Sequence, residues 1–141
     1  MKLFSITVVF AVLAMSLVKA DLKGDLEKLN KVCAEQSKAT SEELNAFFGK
    51  GMREEDVTDA VKCHVKCIME QNGHYKDGSV DQEHVLKTLN AIPSLQDHMK
   101  DITAALEDCK NEKGTDECDT AFKITACFNN TEAGKLALAA Y

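Results

Sequence analysis

Six cysteines, Cys33, Cys63, Cys67, Cys109, Cys118 and Cys127, are the residues of this 141-residue chain best equipped for chemistry. A thiol can ligate a metal, attack an electrophile or oxidise to a disulfide, and spacing and compartment decide which. His64 beside Cys63 hints at zinc, but no Cys-x-x-Cys pair accompanies it, so no metal site is expected. An even number of cysteines in an exported segment implies disulfides, and six leave fifteen connectivities open. In the chain-entropy model each such bridge contributes roughly 3 to 4 kcal/mol.

Other reactive patterns are missing. The chain has no Gly-x-Ser-x-Gly elbow, no His-Glu-x-x-His helix and no phosphate-cradling glycine loop, so neither an enzyme nor a bound cofactor is expected. Around Asp77-Gly78 a calcium loop would need carboxylates where Gly73, Tyr75 and His84 stand. His64, His74, His84 and His98 supply groups that titrate near neutral pH. Asn129-Asn130-Thr131 is a glycosylation sequon, which makes Asn129 a candidate modification site.

The compartment is read from the first twenty residues. Lys2, the apolar run from Leu3 to Val18 and small Ala20 have the order of a signal peptide, so the reading is a leader over 1–20 and a mature domain over 21–141. Ser5, Thr7, Ser16 and Lys19 interrupt or bound the run and argue against a spanning helix. Without Lys2 and Lys19 the formal charge moves from −6 to −8. Nucleic acid and anionic membranes attract basic surfaces, so neither is an expected partner of so acidic a chain.

The elements that must position the cysteines read as helices. Leu22, Leu26, Leu29, Val32 and Cys33 recur at helical spacing behind Asp21, a plausible cap. Thr40 or Ser41 starts a short helix through Phe48, with Glu43 completing a capping box and Gly49 and Gly51 ending it. A third runs from about Glu54 to Asn72, acidic at Glu54, Glu55 and Asp56 and stopped by Gly73. Asp81 caps a fourth; Pro93 breaks the chain before Ser94 begins a fifth, which carries Leu95, Met99, Ile102 and Leu106. Asp116 opens a sixth, and the tail from Thr131 to Tyr141 is unexpectedly apolar. No alternating strand stands out. Cys63 and Cys67, four apart, share one face of the third helix and are better placed to clamp it to two neighbours than to bridge each other.

The pattern Cys33-x29-Cys63-x3-Cys67-x41-Cys109-x8-Cys118-x8-Cys127 resembles that of the six-cysteine insect odorant-binding proteins, the pheromone and general odorant-binding family. Tyr75-Lys76-Asp77-Gly78 and Cys118-Asp119-Thr120-Ala121 are similar to one subgroup found outside as well as inside olfactory tissue. The resemblance implies an all-α, compact six-helix fold around an apolar cavity, stapled by Cys33–Cys67, Cys63–Cys118 and Cys109–Cys127. It implies a secreted carrier of an odorant, pheromone or fatty acid through sensillar lymph, haemolymph or another body fluid. Its partners would be that small hydrophobic ligand and, on the protein side, an olfactory receptor or a second copy of the chain.

By the same resemblance, ligand contacts fall to His64, Ile68 and Met69 on the third helix, Ile102, Thr103 and Leu106 on the fifth, and Phe128 after the last cysteine. Leu136, Leu138 and Tyr141 belong to a tail like those that fold over or into the pocket. Taken singly, Ile, Leu or Phe at helical spacing is ordinary core. Burying a poorly soluble ligand gains roughly 25 cal/mol per Å² of apolar surface, and pockets add a few polar groups for orientation. The rival reading is a secreted helical effector, cytokine-like or saposin-like, that works through its surface. Saposin-like chains begin with a close cysteine pair that this sequence lacks.

Overall fold

The computed structural model describes residues 24–52, 55 and 57–140. The expected leader over 1–20, together with Asp21, Leu22, Glu54, Asp56 and Tyr141, lies outside the described residues. The chain divides into two units, Met1–Val32 and Cys33–Tyr141.

In the first unit residues 24–32 are helical, and Asp25 and Lys28 form an exposed ion pair at 3.9 Å. Leu26 and Val32 are exposed and Leu29 is half-buried. A single short helix cannot bury its own apolar stripe.

The second unit opens on helical residues 33–37, labelled α1, where Cys33 is fully buried. Helix α2 (Ser41–Gly49) starts with the expected capping box: Glu43 N–H donates to Thr40 Oγ1 at 3.2 Å and Thr40 N–H to Glu43 Oε2 at 2.8 Å. Helix α3 (Asp59–Gln71) begins later than its acidic run suggests, because Thr58 supplies the capping oxygen, accepting from Val61 N–H at 3.3 Å. Gly73, with φ of +72°, provides the left-handed stop.

A two-stranded ribbon follows, β1 (Tyr75–Lys76) antiparallel to β2 (Ser79–Val80), turning through Asp77 and Gly78 at φ of 51° and 77°. Positive φ at both central residues is the hairpin geometry that Asp-Gly favours. Helix α4 (Gln82–Asn90) is capped by the Asp81 carboxylate, which accepts from His84 N–H at 2.9 Å. The stretch from Pro93 to His98 winds as a 3-10 helix, so helix α5 (Met99–Cys109) starts five residues beyond Ser94. Helix α6 (Glu117–Asn130) is capped by Asp116, and Thr131 caps a further short helix from the tail, α7 (Glu132–Ala139).

Three bridges tie these elements. Cys33–Cys67 joins α1 to α3, Cys63–Cys118 joins α3 to the start of α6, and Cys109–Cys127 joins the end of α5 to α6. Their Cα atoms lie 5.5, 4.6 and 5.6 Å apart, ordinary spans for a disulfide. Helix α3 packs along α6, while α7 packs on α5 and α6. No helix among the described residues is long and apolar enough to cross a membrane.

Candidate ligand site

The interior of the second unit is three apolar clusters joined by shared residues. The largest gathers Val85 and Leu89 from α4, Leu95 from the 3-10 turn, Ile102 and Leu106 from α5 and Ala137 from α7. Half-buried Val80, Leu86, Ile92, Met99 and Phe128 pack around it. A second cluster holds Phe47, Val61, Val65 and Phe122; a third holds Tyr75, Ala121 and Ile124. Met69 touches both smaller clusters, and Val80 links the third to the largest.

This arrangement sorts the expected contact residues. Ile102, Leu106 and Phe128 come together in the largest cluster, and Met69 stands between the other two. Ile68 is half-buried and Thr103 too, but the Thr103 hydroxyl donates to the Met99 carbonyl at 2.7 Å and is spent within its own helix. Leu136 and Leu138 face outward: they are 37 % and 42 % exposed, and the tail turns Ala133, Ala137 and Ala140 inward. The reason is local. Gly134 sits so close to the last turn of α6 that a Cβ there would stand 1.9 Å from the Phe128 carbonyl oxygen, and only the small face of α7 fits that approach.

Polar groups in the interior are few. His64 is 1 % exposed, and His64 Nδ1, His74 Nε2 and the Tyr75 hydroxyl are buried without a hydrogen-bond partner among the described residues. Burial pushes the His64 imidazole below its ordinary range, and a hydrogen bond with the Cys33 main chain offsets this in part. His74 is lowered by burial first and then by His84, whose ring centroid lies 5.8 Å away. Burial raises the Tyr75 phenol. Thr125 Oγ1 donates to the Ala121 carbonyl at 2.8 Å and lies 3.0 Å from Met69 Sδ.

The charged groups lie at the margin of this interior. The Asp119 carboxylate accepts from Lys62 Nζ at 2.8 Å and from Thr115 N–H at 2.9 Å, with Lys123 Nζ at 3.1 Å, and these hold its pKa far below the ordinary aspartate range. A surface depression of about 300 Å³ is lined by Asp81, Glu83, His84 and Lys87, a polar wall unsuited to an apolar guest. All six cysteines are bridged, and among the described residues no group of three potential ligands could hold a metal ion. Asn129 is half-buried in the last turn of α6, and the Thr131 hydroxyl of its sequon donates to the Phe128 carbonyl at 2.7 Å.

Two features escaped the sequence reading. The ribbon carries Tyr75 and Val80 into the interior, and Asp77-Gly78 was its signal. Ala137 completes the largest cluster, although an alanine among larger apolar residues draws no notice in a pattern search.

An all-α frame with three disulfides tying α1, α3, α5 and α6 around apolar clusters is the architecture of the helical odorant-binding class. The chain belongs to the PBP/GOBP family, whose model matches residues 16–131. It is 35% identical over 129 residues to general odorant-binding protein 56a of Drosophila melanogaster, a match covering 89% of this chain and 88% of that protein. It is similar in structure to the fatty acid binding protein OBP56a from the oral disk of the blowfly Phormia regina, with TM-score 0.64 and 36% identity, over 77% of this chain and 90% of that one. Odorant binding protein 5 of Apis mellifera shares the fold, with TM-score 0.64 at 20% identity, over 83% of this chain and 93% of the other.

Proposed function

We propose that the chain is a secreted carrier that binds a small hydrophobic ligand and moves it through an aqueous extracellular fluid, without catalysing a reaction. The observation that carries this reading is the largest apolar cluster, where half-buried Val80, Leu86, Ile92, Met99 and Phe128 surround a buried centre held in a disulfide-linked frame. Such residues gain by covering an apolar guest, while the bridges keep the frame folded whether the guest is present or absent. The blowfly relative is a fatty acid binding protein and the fly relative a general odorant-binding protein, which supports a ligand of that apolar character.

In this reading residues 1–20 are removed on export. Ile102, Leu106, Phe128 and Met69 provide apolar contact, Ile68, Thr103 and His64 line the approach from α5 and α3, and α7 closes one side. Leu136 and Leu138 then contribute from the outer face of α7, where a ligand-dependent movement of the tail would engage them. Extraction of the native protein followed by mass spectrometry of what it holds tests the proposal. An apolar small molecule at about one per chain is expected; protein that stays empty after exposure to apolar extracts of its own tissue would contradict it.

A further inference from the structure

His64 lies on the inward stripe of α3, one turn after Val61 and one turn before Ile68. The ring is 1 % exposed, yet Nδ1 meets no donor or acceptor among the described residues. Its bond to the Cys33 main chain raises its proton affinity, as a ring N–H donating to a carbonyl would, and it falls to Nε2 because Nδ1 has no partner. Burial keeps the imidazole neutral, so Nδ1 presents a lone pair. An acceptor buried without a donor is costly, and native interiors rarely leave one so. Phe48 packs against the imidazole with ring centroids 6.1 Å apart and is itself 45 % exposed. The histidine therefore lies beneath one partly exposed ring.

We propose that His64 Nδ1 accepts a hydrogen bond from the head of the ligand, so that the protein selects amphiphiles ending in a hydrogen-bond-donating hydroxyl over ethers, esters and hydrocarbons of equal length. Long-chain alcohols and uncharged carboxylic acids both offer that hydroxyl. An ether or ester presents only lone pairs to a lone pair, and a hydrocarbon leaves the acceptor unmet. This assignment rests on the carrier reading above.

The test is displacement of a bound naphthylamine probe from the mature, disulfide-intact protein by a long-chain primary alcohol, by its methyl ether and by the carboxylic acid of equal length. One net hydrogen bond predicts that the alcohol displaces the probe at about a five- to tenfold lower concentration than the ether. His64→Leu should bring that ratio to about one, and His64→Gln, which keeps an acceptor, should preserve it in part. If the leucine variant does not fold, the native protein still decides: the His64 Nδ1 resonance should move on adding alcohol and stay still with ether. Acid affinity that rises as pH falls marks the uncharged acid as a further ligand, whereas acid affinity independent of pH indicates a bound carboxylate and contradicts a lone-pair acceptor. Probe binding with equal displacement by alcohol and ether overturns the assignment alone. Failure of the probe to bind at all overturns the carrier reading and this assignment together.

Discussion

Gly134 and Phe128 approach so closely that a Cβ on the glycine would stand 1.9 Å from the Phe128 carbonyl oxygen and 2.6 Å from its carbonyl carbon. The contact is backbone against backbone, so no side-chain rotation relieves it. Gly134→Ala should therefore push α7 off α6 and withdraw Ala137 from the largest apolar cluster. Overpacking of this kind costs about 1–3 kcal/mol. Urea unfolding should show that loss, and probe affinity should fall with it; a variant with unchanged stability would mean that α7 does not dock as described.

Asp119 anchors the start of α6 to α3 through Lys62 and to the 114–115 loop through the Thr115 N–H, with Lys123 of α6 itself beside it. The approach of that loop depends on Gly114, where a Cβ would stand 2.5 Å from Asp119. Because its folded pKa is depressed, with the Lys62 bond the largest cause, the contribution of Asp119 is present above the ordinary aspartate range near pH 4 and lost as pH falls below it. Asp119→Asn should lower the thermal midpoint at neutral pH and flatten the acid limb of the stability curve. An unchanged acid limb would show that Asp119 is not among the groups responsible.

His64 and His74 give a second pH window. Both folded pKa values lie below the ordinary histidine value near 6.5, chiefly through burial, so the unfolded chain binds more protons as pH falls through that value. Stability should be full above about pH 7 and decline towards pH 5. His74→Gln should reduce the slope, as neither burial nor the neighbouring His84 then opposes a charge there. Denaturant midpoints collected across this interval check it, and a flat profile would contradict the burial of both rings.

The bridges differ in the length of chain they close. Cys63–Cys118 spans 55 residues and Cys109–Cys127 spans 18. Replacing each pair with alanine should cost about 4 kcal/mol for the first and about 3 kcal/mol for the second in the chain-entropy model. Equal losses, or the reverse order, would place the stabilisation in native packing around the sulfurs instead.

Much of this architecture can be read from residues whose effect is local. Thr40 with Glu43, Asp81, Asp116 and Gly73 each decide their own helix end through one side chain or one left-handed turn. The start of α3 was less readable, because an acidic run favours a helix dipole over several positions whereas the Thr58 oxygen acts at one. Ser94 lies in a 3-10 turn behind Pro93, and periodicity does not distinguish that turn from the helix it leads into. In the candidate site Ile102, Leu106 and Phe128 converge, whereas the orientation of α7 was hidden. Leu136 and Leu138 are the larger apolar residues, and only the approach of Gly134 to Phe128 turns the small face inward.

In the carrier reading this disulfide-linked helical chain binds an apolar guest in its interior. Fluorescence titration of the delipidated mature protein with the naphthylamine probe tests it most directly. Saturable binding at about one probe per chain, reversed by a competing long-chain ligand, is expected. Emission that never saturates, or that no such ligand reverses, would contradict it.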